Sequence, residues 1–527
     1  MNIIFPEYGK EAELVEGRTI LSYLQELGID INSSCGGEGK CGQCLVEVKC
    51  APGVLSDKTE AENEFIHDNI RRLACQAKIL KTDKNVYVRL KSLLHLRRLY
   101  ILESGEYTAI PIEPFVHREG ERVFYESEDV GEYTGEIYGI AFDIGTTTLA
   151  VYLIDLETGA VLSVSSRENP QTKYGNNVIS RIEFAGKGKG RDILEREIRT
   201  AMNEMIANLT GRGKVYEIVV VGNPVMRDLF FGYSVESLGK SPYDPISVNA
   251  ISKTAKEVGL KGNPEALVYG LPLVGGFVGA DALAVVLATE MYKDERICMA
   301  IDIGTNTEGV LGNCDRLIAA SCAAGPAFEG AGIPCGIGGV NGAIKEVRIE
   351  NGEVMYKTIG NTAPIGVCGS GLIDVLAELL DKNIIDGRGK FYGAEKEFKI
   401  AEGIWLSEKD IDQLNLAKTA VAVGIKALMD RYGVGLEDID CIILAGGFGN
   451  FINTENAIRI GLLPDVEQEK VKKVGNVAIE GARQALISKT KREDAEAIAK
   501  QIEHIKLEEE ENFMEKFVSE LYFQKYL

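Results

Sequence analysis

Two stretches of this chain repeat one another: FDIGTTT at 142–148 and IDIGTNT at 301–307. Each follows an apolar run that reads as a buried strand, and each turns at a glycine into hydroxyl-bearing residues and a second strand. Asp302, Gly304, Thr305 and Asn306 stand where Asp143, Gly145, Thr146 and Thr147 stand in the first copy. One Asp-x-Gly turn would say little, since such turns are common between strands. Two copies opening two stretches of domain size predict two similarly folded halves that face each other. The local chemistry suits phosphate: an aspartate ends a buried strand, a glycine lets the backbone turn, and hydroxyls join exposed N–H groups as donors. A third element fits the same ligand. IDCIILAGGFGNFI (439–452) is an apolar strand running into Gly446, Gly447 and Gly449, a turn that lets backbone approach a ligand closely. No G-x4-G-K-[ST] loop occurs, because GKGKGRD (186–192) has the glycines and lysines in another order. No G-x-G-x-x-G follows a strand, so a nicotinamide or flavin site has no support.

A different chemistry begins the chain. CGGEGKCGQC (35–44) and a distant Cys75 give the spacing C-x5-C-x2-C-x30-C for Cys35, Cys41, Cys44 and Cys75. Four thiolates in nearly this arrangement hold a 2Fe–2S cluster in plant-type ferredoxins, whereas zinc prefers two short paired hooks. Gly36, Gly37, Gly39 and Gly42 allow the left-handed backbone and close N–H approach that such a loop needs. NIIFP and AELVEG read as strands, TILSYLQELG as a helix ending at Gly28, and CLVEVKC and VYVRL as further strands. That order resembles the β-grasp fold of 2Fe–2S ferredoxins. Cys50 lies outside the pattern, and Cys322, Cys335, Cys368 and Cys441 sit in apolar or glycine-rich segments that read as buried, unreactive thiols.

A chain of 527 residues exceeds one core and predicts several domains. The net charge of −21 argues against nucleic acid as a partner, since phosphate neutralisation needs a basic surface. Acids in the first dozen residues and the lack of a long apolar run predict neither a signal peptide nor a membrane span, hence a cytoplasmic protein without a membrane partner. The expected plan is multidomain α/β: a β-grasp 2Fe–2S ferredoxin domain at 1–92, a linker at 93–136, lobe I at 137–295, lobe II at 296–490 and a C-terminal tail at 491–527.

The paired loops and the glycine turn resemble the acetate and sugar kinase, Hsp70 and actin superfamily of two-lobed ATPases. An N-terminal ferredoxin joined to such an ATPase resembles the ATP-dependent reductive activators of corrinoid proteins. NPQTKYGNNVISRI (169–182), VGNPVM (221–226), GGFVGAD (275–281), SCAAGPAFEGAGIPCGIGG (321–339), VCGSGLID (367–374), LAKTAV (416–421) and LAGGFGN (444–450) carry the likeness over nearly the whole chain. Asn177 stands where an acidic residue is expected, and CGIGGVNGAI is shorter than expected.

The resemblance implies ATP bound between the lobes with Mg²⁺, and one electron passed from the 2Fe–2S cluster to Co(II) cobalamin to restore Co(I). It implies that Asp143 and Asp302 organise Mg²⁺ and the attacking water, that Gly145, Thr146, Thr147, Gly304, Thr305 and Asn306 cradle phosphates, and that Gly446, Gly447 and Gly449 lie near the nucleoside. Glu329, in GPAFEGA, is a candidate for the ribose or a solvated loop carboxylate. The implied partners are a corrinoid protein of a methyltransferase system, a low-potential electron donor and a second copy of the chain. The alternatives are an ATP-driven donor to an iron–sulfur enzyme, a redox-sensing ATPase-like scaffold, and a small-molecule kinase, which would leave the ferredoxin unexplained.

Overall fold

The computed structural model describes residues 1–27, 29, 31, 39, 44–66, 71–80, 84–89, 110–175, 177–210, 214–304, 306–330, 332–510 and 512–526. Cys35, Cys41 and Thr305 lie outside them.

The first domain is a five-stranded sheet. Its strands β1 (Asn2–Phe5), β2 (Lys10–Glu13), β3 (Leu45–Lys49), β4 (Arg71–Leu73) and β5 (Val86–Arg89) run in the order β2-β1-β5-β3-β4. β1 pairs in parallel with β5, setting Ile3 opposite Val86, and the other neighbours are antiparallel. Alternation puts Ile3, Phe5, Val46, Val86 and Val88 inside. The helix Ile20–Glu26 covers them with Ile20, Leu21, Tyr23 and Leu24, and Thr19 caps it by accepting from the Ser22 N–H. A second helix, Glu60–Phe65, starts in a capping box between Thr59 and Glu62. Glu62 also accepts two bonds from Arg72, at 2.8 and 2.9 Å, in a buried ion pair that ties this helix to β4. This is the β-grasp arrangement expected from the sequence.

The stretch expected to be a linker is folded from residue 110 onward. β6 (Val116–Glu119), β7 (Arg122–Tyr125) and β8 (Glu128–Glu132) form an antiparallel meander. Val116 and Val123 enter the core beneath it, and Glu113 exchanges backbone bonds with Ile487 and Lys489. So few buried apolar residues leave no readable period, which is why local sequence failed here.

The remaining chain builds two six-stranded sheets. Lobe I contains β9 (Tyr138–Ile144), β10 (Thr148–Asp155), β11 (Val161–Glu168), β12 (Val215–Gly222), β13 (Ile251–Thr254) and β14 (Leu267–Gly270), ordered β11-β10-β9-β12-β14-β13. Lobe II opens with β15 (Cys298–Ile303), β16 (Thr307–Gly312) and β17 (Leu317–Cys322). A smaller unit follows, with β18 (Ala343–Glu350), β19 (Glu353–Thr358), β20 (Gly366–Val367) and the hairpin β21 (Glu397–Ala401) and β22 (Ile404–Ser407). The main sheet is completed by β23 (Cys441–Ala445), β24 (Val471–Gly475) and β25 (Glu503–His504), in the order β24-β23-β15-β16-β17-β25.

The repeat read from sequence is therefore a repeat of topology. In each lobe an antiparallel triplet is followed by a parallel strand beside its first member: β12 beside β9, and β23 beside β15. The helices Ala280–Thr289 and Val477–Ile487 join both sheets in one core. They approach so closely that a Cβ on Gly481 would lie 2.2 Å from the Ala284 carbonyl oxygen. The C-terminal segment is not a loose tail. The helix Lys489–Gln501 buries Ala495 and Ile498, β25 extends the lobe II sheet, and Phe523 and Tyr526 lie in the lobe II core. Buried Lys418 holds the segment by donating to the carbonyls of Glu520 and Tyr522, at 2.7 and 2.6 Å. No helix among the described residues is long and apolar enough to cross a membrane.

Candidate functional site

The two repeated loops come from the ends of the central strands, β9 and β15. In lobe I, the Gly145 N–H donates to the Thr148 carbonyl at 3.0 Å, and a Cβ on Gly145 would stand 2.5 Å from that oxygen, so only glycine fits the turn. The Thr146 hydroxyl accepts from Asn223 at 3.0 Å. The Thr147 hydroxyl reaches across the cleft and donates to Glu329 of lobe II at 3.1 Å. In lobe II, β15 delivers Asp302, Gly304 and Asn306, and Gly446 closes on them from the end of β23. Gly446 has φ +83°, and a Cβ there would lie 2.3 Å from Asp302 Oδ1.

The floor between the loops is acidic. Asp143 accepts from Asn476 at 2.9 Å, Asp281 opens the helix Ala280–Thr289, and Glu308 lies buried on β16 beside Asp302. Burial pushes Asp143 up to about 6, with Asn476 partly opposing it. Asp281 is pushed to about 7 by burial and then by Asp143, and Asp302 to about 7 by burial, Asp143 and Glu329. Glu308 is raised by burial and by Asp281 and Asp302. Carboxylates that raise one another in this way fit a site that takes a divalent cation. Among the described residues no three acidic, histidine or cysteine side chains form a closed cage for an ion.

These shifts carry a pH dependence. A carboxyl raised from an unfolded value of about 4 binds more protons folded than unfolded, so its contribution falls as pH rises through roughly 4–7 and is flat above. In chelator, wild type should therefore lose more melting temperature between pH 5 and pH 8 than Asp302→Asn. Parallel pH profiles from calorimetry would show that the cluster carries no such strain.

Asp281 and Glu308 were not singled out from sequence. Their signals were present: Asp281 ends the glycine-rich GGFVGAD, and Glu308 is the one charge in a buried strand, TEGVLG. Glu329, half-buried, lies between the repeated loops, its Oε1 3.9 Å from where a Cβ on Gly304 would be. Its contact with Thr147 and its effect on Asp302 make it part of the acidic floor. The three glycines expected near a nucleoside divide. Gly446 abuts Asp302, a Cβ on Gly447 would meet only open space, and Gly449 packs on Leu444. Asn177 caps the helix Val178–Ala185 by accepting from the Ser180 N–H.

In the first domain, Cys44 and Cys75 are brought together. Ala74 donates to the Cys44 carbonyl at 2.6 Å, and the Cys75 N–H points at Cys44 Sγ at 3.4 Å. Gly39, on the loop between Cys35 and Cys41, has φ +79°, where a Cβ would meet that of Ala61 at 2.9 Å. Two neighbouring sulfurs that each receive an N–H, from Cys75 and from Gln76, with a glycine-only position at Gly39, fit a 2Fe–2S cluster. Of the other thiols, burial pushes Cys322 up to about 12 and Cys335 to about 11, as expected for inert groups. Cys441 is buried as well; its register partner across β15 and β23 is Cys298, and the two thiols share a hydrogen bond.

Comparison with known proteins matches three family descriptions in succession: a 2Fe-2S iron-sulfur cluster binding domain at 5–80, the RACo middle region at 138–294, and the C-terminal domain of RACo, the ASKHA domain, at 296–526. The corrinoid activation enzyme RamQ of Eubacterium limosum is 32% identical, over 99% of this chain and 99% of that protein. The chain belongs to the corrinoid activation enzyme family. A second member, the [Co(II) methylated amine-specific corrinoid protein] reductase of Methanosarcina barkeri, is 28% identical over 73% of this chain and 77% of its own length. Among solved structures, the reductive activator for corrinoid,iron-sulfur protein superposes with a TM-score of 0.72 at 29% identity, covering 99% of this chain and 98% of that one. The family's plan is thus a 2Fe–2S-binding domain followed by a two-lobed ASKHA fold.

Proposed function

We propose that this protein is an ATP-dependent reductive activator that returns the Co(II) cobalamin of a corrinoid protein to Co(I). The observation that carries the reading is the junction in one chain of a 2Fe–2S-binding domain with two phosphate loops facing each other over a carboxylate floor. The activities for which the two relatives are named point the same way. Cys35, Cys41, Cys44 and Cys75 would hold the cluster, which supplies one electron at a time.

Asp143 and Asp302, with Asp281 and Glu308, would hold Mg²⁺ and orient water, while Gly145, Thr146, Thr147, Gly304, Thr305 and Asn306 would receive the phosphates. The Thr147–Glu329 contact joins lobe I to lobe II at the point where a terminal phosphate would bridge them, so nucleotide and lobe closure are coupled there. Closure matters because Co(II) is reduced only at a potential below that of ferredoxin-type clusters, near −400 mV for the plant type. Each ~59 mV is a factor of ten in a one-electron equilibrium. ATP contributes to this if the closed protein binds one state of the corrinoid partner better than the other.

The test combines purified protein, a low-potential reductant and a Co(II) corrinoid protein, with and without MgATP, and follows Co(I) absorbance. ATP-dependent Co(I) is expected. Equal Co(I) in both arms, or none with corrinoid partners of the methyltransferase type, would overturn the reading.

A further inference from the structure

The described residues of NPQTKYGNNVISRI, 169–182, form no hydrogen bond or ion pair with an acid of the floor, yet they brace the first repeated loop from behind. Asn169 Nδ2 donates to the Gly145 carbonyl at 2.8 Å, Arg181 Nη2 to the Thr146 carbonyl at 2.5 Å, and the Asn169 N–H to the Thr147 carbonyl at 2.7 Å. Three successive carbonyls of the loop are thus drawn to one side. In a trans peptide the N–H points opposite the preceding carbonyl, so holding the Gly145 and Thr146 carbonyls turns the N–H groups of Thr146 and Thr147 the other way. The loop becomes an oriented set of donors.

Arg181 is the centre of this brace. It is fully buried, and its remaining bonds go to neutral acceptors: Nε to the Gly175 carbonyl at 2.9 Å, and Nη1 to the Gln171 side-chain oxygen at 3.2 Å and to Met226 Sδ at 3.1 Å. Gln171 is itself fixed by donating to the Leu194 carbonyl at 2.9 Å. Gly175 admits no side chain, because a Cβ would stand 2.5 Å from Ser180 Oγ. Among the described residues no carboxylate forms an ion pair with Arg181, whereas buried Arg227 pairs with Asp228 and buried Arg72 with Glu62. Burial accordingly lowers Arg181 to about 10, with no acidic group opposing it. An unpaired buried cation is costly, and an anion bound on the other side of the loop is what offsets that cost.

We infer that Arg181 is a positioning residue for the nucleotide: its hydrogen bond to the Thr146 carbonyl aims the lobe I loop, and its unpaired charge makes that loop selective for the number of negative charges on the phosphate chain. The inference rests on the nucleotide reading of the cleft and assigns part of it to a segment whose described residues form no hydrogen bond or ion pair with an acid of the floor.

The test measures equilibrium binding of adenosine, ADP and ATP, each with Mg²⁺, to full-length wild type, Arg181→Gln and Arg181→Lys, with melting temperatures in parallel. Arg181→Gln should weaken ATP by about tenfold or more, ADP by less, and adenosine hardly at all. Arg181→Lys keeps the charge and should keep the wild-type ratio of ATP to ADP affinity, even where both fall. A purely structural role would lower all three ligands equally in Arg181→Gln, and that result overturns the inference. Should Arg181→Gln fail to fold, Arg181→Lys decides alone: a collapsed ATP-to-ADP ratio overturns it and a preserved ratio supports it. Wild type that binds none of the three would instead defeat the nucleotide reading itself.

Discussion

Asp302→Ala should reduce ATP hydrolysis by at least about 10²–10³-fold while leaving the visible spectrum of the iron–sulfur domain unchanged. Asp302 ends the central strand of lobe II, faces Asp143 and Asp281, and abuts the one glycine, Gly446, that leaves room for its carboxylate. On the proposed reading, removing it would take a ligand from the metal and an orienting group from the attacking water. The same substitution should raise the melting temperature in chelator, because one of four mutually raising carboxylates is gone. Stabilisation by MgATP should shrink at the same time, since the variant no longer binds the ligand tightly. The informative result is this opposition, a protein more stable when empty and less responsive to nucleotide. Assays would combine phosphate release with thermal melts in chelator and in MgATP. Hydrolysis within a few-fold of wild type would exclude Asp302 from the machinery.

Cys44→Ser should remove the 2Fe–2S absorbance and abolish ATP-dependent Co(I) formation, with ATP hydrolysis retained within a few-fold. Cys44 is buried against Cys75, accepts that residue's N–H at sulfur, and leads directly into β3. Serine keeps the volume but supplies a far poorer ligand for iron. Because the ferredoxin sheet has its own core, separate from those of the two lobes, the loss should stay local. Absorbance at wild-type intensity in the variant would mean that the cluster is held by other residues. Loss of hydrolysis as well would mean that the cluster site and the cleft are coupled more tightly than separate cores imply.

The two effects separate the halves of the chemistry, and they show how unevenly that chemistry could be read from sequence. The 2Fe–2S domain was legible from cysteine spacing because a metal set is written as a count of residues between thiolates, independent of most of the fold. The paired loops were legible for a related reason: each is a contiguous run, and a duplicated run needs no tertiary information to be noticed. Asp281 and Glu308 were harder. A helix-opening aspartate and a strand glutamate have no local pattern that marks them as partners, and only the packing of Ala280–Thr289 and β16 around Asp302 brings them into one field.

Glu329 shows the same limit from the other side. Its neighbourhood in sequence is a glycine-rich loop, consistent with a ribose contact or with solvent. Its actual partner, Thr147, lies in the other lobe. The folded meander at 116–132 and the docked C-terminal segment were missed because each contributes a few isolated apolar residues to cores built mostly by other elements.

Sequence by itself determined the local elements of this protein: the thiolate spacing, the two turn-forming glycines after buried strands, and the repeat that made two like sheets. These follow from short-range sterics and ligand chemistry, which contiguous residues express. Tertiary structure alone decided which carboxylates share a floor, which lobe's carboxylate meets the Thr147 hydroxyl, and that Arg181, with no ion-pair partner among the described residues, stands behind the first repeated loop. Those are properties of charge brought close in a medium of low dielectric, and proximity between distant segments is set by how the sheets pack.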